Sequence, residues 1–193
     1  AMWMVWAAWA FTTRPDANRT HFFLTFMLLW SIGGSLMAAG FSSAGPAFYT
    51  LIGLSPDPYA PLMDYLRAAH DSLPVWALNT QELLWTSFNG RTVADGISAM
   101  PSMHNASSLL FLLSARHLGK MWPVRLLAAH LVLGYIGSVH LAWHYAVEAY
   151  IGWALALVLW FAAKPIAVWL DKRPVANELR QAIANYESQK PAS

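Results

Sequence analysis

Residues 122–161 form a run of 40 residues in which only Arg125 and Glu148 are charged, about 60 Å of chain if wholly helical. A hydrocarbon core of ~30 Å takes about 20 helical residues, so the run is too long for one crossing and predicts two, joined by a bend. Gly134 and Gly137 weaken the helix, and Trp143, Tyr145 and Tyr150 suit a membrane interface. The bend is therefore placed between Gly137 and Trp143.

The remainder agrees with that frame. Of the 193 residues, 57% are hydrophobic and 11% charged, which predicts an all-α fold, an integral membrane helical bundle. With no cysteine, disulfides, a thiolate nucleophile and a cysteine metal site are excluded. Residues 1–11, AMWMVWAAWAF, are too short to cross and lack the basic leader of a signal peptide. They read as the end of a truncated helix.

A polar turn around Arg14, Pro15, Asp16 and Arg19 precedes a full crossing over residues 21–41. Residues 42–101, broken by six prolines, read as a long loop outside the bilayer core with interfacial helical pieces over 59–70 and 76–88. Another crossing over residues 104–118 ends in a tight turn at 116–120. A polar tail, 171–193, follows a membrane-embedded domain over 1–170 and reads as a short amphipathic helix.

Ten basic residues (Arg14, Arg19, Arg116, Lys120, Arg125, Lys164, Lys172, Arg173, Arg180 and Lys190) fall on one side of this topology, and only Arg67 and Arg91 on the other. By the positive-inside rule the ten face the cytoplasm. The tail is then cytoplasmic, and the 42–101 loop, His104 and the stretch 138–152 meet at the outer face, periplasmic or lumenal.

Two motifs carry chemistry. In residues 96–111, GISAMPSMHNASSLLF, Ser102 is placed to cap a helix whose first amides are unpaired. Such a helix start attracts an anion, and His104 on its first turn supplies a proton donor. In residues 137–152, His140, His144 and Glu148 recur at four-residue steps, one face if helical. A carboxylate on one imidazole nitrogen fixes the tautomer and raises the basicity of the other. A nucleophilic His144, an orienting Glu148 and an acidic His104 form a phosphoryl-transfer set that needs no metal or other cofactor.

Ala99-Met100-Pro101-Ser102-Met103-His104 and His144-Tyr145-Ala146-Val147-Glu148 resemble the second and third signature motifs of the type-2 phosphatidic acid phosphatase superfamily. Gly45-Pro46-Ala47-Phe48-Tyr49 resembles the branch of inositol phosphorylceramide synthases and related lipid phosphotransferases. The resemblance implies a six-helix bundle, of which about five crossings lie in this chain. It implies His144 as nucleophile, Glu148 as its orienting carboxylate, His104 as acid on the leaving group, and Ser102 with nearby amides as the phosphate cradle. The substrate would be a lipid phosphate or phospholipid, with water or an alcohol as acceptor.

Four departures accompany it. The Lys-x6-Arg-Pro motif is missing, leaving Arg91 as the nearest outer-side cation for phosphate. Met103 replaces a glycine, narrowing the room over the phosphate. Gly137-Ser138 stands where Ser-Arg usually precedes the nucleophile. Glu148 replaces aspartate, and its extra methylene is expected to displace the imidazole by about 1 Å, a shift that can cost ~100-fold.

Two other readings compete. His140, His144 and Glu148 could form a metal triad, or the bundle could be a lipid-binding scaffold with Glu148 marking lost activity. His130 reads as a packing residue, His70 and Asp71 as solvated, and His117 as a headgroup neighbour. No nucleotide loop or nucleic-acid stretch is present.

Overall fold

The computed structural model describes residues 16–90 and 97–189. Among these the structure is all-helical, as expected. Asp16 caps α1 (Ala17–Leu29) by accepting from the Arg19 amide at 2.7 Å. The helix continues through a π-helical segment, Trp30–Met37, into α2 (Ala38–Phe41). The π segment contains Gly33 and Gly34, whose missing side chains let the backbone widen locally. A β-carbon on Gly33 would lie 2.8 Å from Leu155 Cδ2 and 3.0 Å from Met103 Sδ, so this turn presses on the PSMH motif.

The 42–101 segment contains α3 (Ala60–Ser72) and α4 (Trp76–Gly90), close to the two helical pieces expected. Next come α5 (Met103–Ala115), a 3-10 turn at Arg116–Leu118 closed by Gly119 at φ 65°, α6 (Met121–His140), α7 (Ala146–Asp171) and α8 (Pro174–Gln189). The long apolar run breaks at residues 141–145, and the tail is helical. The helix runs through Pro165 without ending.

Three stretches among the described residues are long and apolar enough to cross a membrane: Ala17–Phe48, Met121–His140 and Ala146–Asp171. The expectation of about five crossings also counts residues 1–11 and 104–118. The 13-residue α5 is about 20 Å long, short of a ~30 Å core, and residues 1–15 lie outside the described part. α5 is the central helix, packed against α1, α6 and α7. Eight of its residues are buried, among them Ala106, Ser107, Leu110, Phe111 and Ala115.

α1 and α7 enclose α5 with small residues at the seams. Ala149, Gly152, Ala156, Ala163 and Ala167 line the buried side of α7. Small residues let backbones approach where lipid offers no hydrophobic drive to associate. A β-carbon on Gly152 would lie 2.8 Å from the Ser102 carbonyl oxygen, so this seam fixes where α5 starts. At the other end, buried His21 lies with Nε2 2.7 Å from the Trp160 carbonyl, tying α1 to α7 near the turn that Pro165 loosens. The α6 helix buries little besides Pro123 and Leu127 and presents Leu126, Val132, Leu133 and Ile136 outward, a lipid-facing surface.

Candidate active site

The helix break at 141–145 creates the site. After α6 ends, the amides of Trp143 and His144 both donate to the Ser138 carbonyl, at 3.0 and 3.1 Å. Ala142 is buried at φ 58°, a left-handed conformation costing roughly 1 kcal/mol for a residue with a β-carbon. The chain reverses there and aims His144 toward the start of α5. Gly45 and Ala47 hold the turn from the other side: Ala47 N-H donates to the Ala142 carbonyl at 3.0 Å, and Gly45 packs against the Trp143 carbonyl.

His144 Nδ1 lies 3.0 Å from Glu148 Oε2 and 3.0 Å from the Ala99 carbonyl oxygen. Both partners are acceptors, so Nδ1 carries the proton and Nε2 holds the lone pair. The Glu148 carboxylate, 1% exposed, also accepts from the Tyr145 amide at 3.1 Å and the Ser43 hydroxyl at 2.8 Å. The extra methylene lets it fold back onto the helix N-terminus, a capping interaction. It keeps the imidazole in hydrogen-bond contact.

His140, His144 and Glu148 do not share a helix face. His140 ends α6 and packs on Tyr65 at 5.9 Å between ring centroids, while His144 precedes α7 and Glu148 lies in its first turn. The break separates His140 from the pair, so this triad does not converge. His104 does converge: its ring lies 6.3 Å from that of His144, inclined by 55°. It is exposed on the first turn of α5, whereas His144 is buried.

Ser102 is the N-cap of α5 by backbone geometry, but its side chain does not cap. Its hydroxyl accepts from Asn105 Nδ2 at 3.0 Å, and its amide donates to the Glu148 carbonyl at 3.1 Å. Fully buried, Ser102 joins α5 to α7. The first-turn amides of Met103, His104 and Asn105 have no intrahelical partner by helix geometry. The Met103 thioether packs toward Gly33. Arg91 lies outside the described residues.

Three contributors escaped the sequence reading: Ser43, Ala99 and Asn105. Asn105, 2% exposed, also donates to Ser138 Oγ at 3.2 Å, linking α5 to α6. Its position beside His104 was the one available signal. Burial, then the neighbouring Tyr59 and Glu148, push the Tyr145 phenol up to about 12. It stays a neutral group at the rim.

The paired histidines and the carboxylate are thus held by residues from the linker after α2 to α7, and a family model for the PAP2 superfamily matches residues 1–162. The chain belongs to the PAP2 superfamily. The match spans every site residue described above and ends inside α7. No curated protein and no solved structure gives a significant match. Membership supports a phosphatase- or phosphotransferase-type function, and the apolar helices place this PAP2 protein in a membrane.

Proposed function

We propose that this PAP2 protein cleaves or transfers the phosphate of a lipid at the outer membrane face, through a phosphohistidine on His144 and without a metal. The observation that carries the reading is the double acceptor at His144 Nδ1, Glu148 Oε2 and the Ala99 carbonyl, each at 3.0 Å. It leaves Nε2 as a nucleophile.

Nε2 attacks phosphorus, and the bond from phosphorus to the lipid oxygen breaks. His104 gives that oxygen its proton. Water or an alcohol then attacks the phosphohistidine, passes its proton to His104 and releases His144. The two rings lie 6.3 Å apart between centroids, so one phosphoryl group can sit between the nucleophile and the acid. The first-turn amides of α5 stabilise the charge on the transferring group, with Arg91 a further candidate cation.

The distribution of basic residues supports the outer-face placement, with residues 1–170 as the membrane unit and 171–193 as its inner tail. Gly45-Pro46-Ala47-Phe48-Tyr49 supports the phosphotransferase-like branch, in which an alcohol is the acceptor. The test is to purify the full chain in detergent and supply labelled phosphatidic acid, isoprenyl diphosphate and phospholipids, with and without alcohols, in EDTA. Turnover resistant to EDTA and lost in His144→Ala, with an acid-labile, alkali-stable phosphoenzyme, is expected. The product identifies the acceptor. Equal turnover by His144→Ala would overturn the reading.

A further inference from the structure

Beyond the two histidines and their carboxylate, Ser43 occupies a position that the reaction does not require by itself. It lies in the linker between α2 and the Gly45-Pro46-Ala47 turn, 105 residues from Glu148. Its hydroxyl donates to Glu148 Oε1 at 2.8 Å, and its carbonyl accepts from the Ala99 amide at 2.6 Å. The Ala99 carbonyl and Glu148 Oε2 are the two acceptors at His144 Nδ1. The contacts close a ring: Ser43 Oγ to Glu148, Glu148 to His144, His144 to the Ala99 carbonyl, and the Ala99 amide back to the Ser43 carbonyl.

We infer that Ser43 is a positioning residue, which sets the orientation of the His144 imidazole through Glu148. The inference rests on the phosphohistidine reading above.

The effect is torsional. The terminal torsion of a glutamate is broad and nearly two-fold, so a carboxylate held only at Oε2 can swing its plane about the Cγ–Cδ bond. His144 and Tyr145 both bind Oε2. Ser43 is the donor on Oε1, and one donor on each oxygen fixes the plane. With the plane fixed, the imidazole proton has one direction in which to point, and Nε2 faces the start of α5. Without it, the ring can rotate toward the Ala99 carbonyl alone. Small rotations of a nucleophile matter, since a misplacement of about 1 Å can cost ~100-fold.

A residue acting in this way affects the attack step and leaves substrate binding alone. Ser43→Ala, Ser43→Thr and His144→Ala would be compared in the full-length protein with labelled phosphatidic acid, measuring kcat, KM and thermal unfolding in detergent. For Ser43→Ala, kcat is expected to fall on the order of 10- to 100-fold, with KM within about twofold and an unfolding midpoint near wild type. Ser43→Thr, which keeps the hydroxyl, restores most of the loss.

Three results would overturn the assignment: wild-type kcat in Ser43→Ala, a loss confined to KM, or a loss that threonine does not restore and that tracks the unfolding midpoint. If any of these occurs while His144→Ala is inactive, the Ser43 assignment falls alone. If His144→Ala turns over like wild type, the phosphohistidine reading falls and takes Ser43 with it.

Discussion

Gly45 approaches the Trp143 carbonyl so closely that a β-carbon there would collide with the oxygen. Backbone lines both sides of this contact, so no flexible side chain can move aside. The next-but-one residue, Ala47, donates to the carbonyl of Ala142. The Gly-Pro-Ala-Phe-Tyr segment thereby clamps the turn that carries His144. Gly45→Ala is expected to destabilise the protein by about 1–3 kcal/mol through overpacking and to lower turnover by moving His144. Thermal unfolding and activity of the detergent-purified variant test this, and a variant with both unchanged would remove the clamp.

Tyr145 supplies a pH dependence of stability. Its phenol titrates at about 12, above the ordinary 10.0, because of burial first and the neighbouring Tyr59 and Glu148 next. The fold favours the neutral form of an acid, so the contribution is complete below about pH 10. It is lost as pH rises through 12. The expected outcome is a late tyrosinate absorbance component that vanishes in Tyr145→Phe, together with less alkaline destabilisation in that variant over the same window.

How far the sequence reaches is visible in residues 137–152. Apolar length alone predicts the two helices and the bend, because bilayer thickness limits a crossing. His144 and Glu148 are legible as a pair, but for a partly different reason: the contact is a cap across a helix start, not two positions on one helix face, and so His140 drops away. Ser43, Ala99 and Asn105 are common residue types whose contacts span 105, 45 and 33 residues. No local pattern announces such contacts. The direction of Met103 was equally illegible, since it depends on the space beside Gly33 in another helix.

The exposed position of His104, one ring away from buried His144, predicts a dependence on the leaving group. A general acid matters most when the departing oxygen is strongly basic, and typically contributes ~10²–10⁴-fold. His104→Ala should lose activity in that range toward a lipid alkyl phosphate. Toward an aryl phosphate, whose oxygen leaves without a proton, the loss should shrink to about tenfold or less. Rates on the two ester types provide the test. Equal losses on both would assign His104 to phosphate binding instead of protonation.

The bonds of Glu148 decide how this site tolerates a residue longer than aspartate. Its carboxylate satisfies Ser43 on one oxygen and His144 with Tyr145 on the other, a set that needs the full side chain to turn back to its own helix start. Glu148→Asp shortens the reach by one methylene. The carboxylate can then keep His144 only by leaving the part-buried Ser43 hydroxyl or Tyr145 amide without it, which costs up to ~1 kcal/mol per orphaned group. The substitution that restores the commoner family residue is therefore expected to lower kcat by roughly 10- to 100-fold. Glu148→Gln keeps the length but presents a neutral group to the imidazolium that forms, and a loss of about 10² or more is expected from the corresponding change in a catalytic triad. Steady-state rates of both variants, with His144→Ala as the floor, test the argument; an aspartate variant as fast as wild type would mean that the ring around Glu148 does not govern His144.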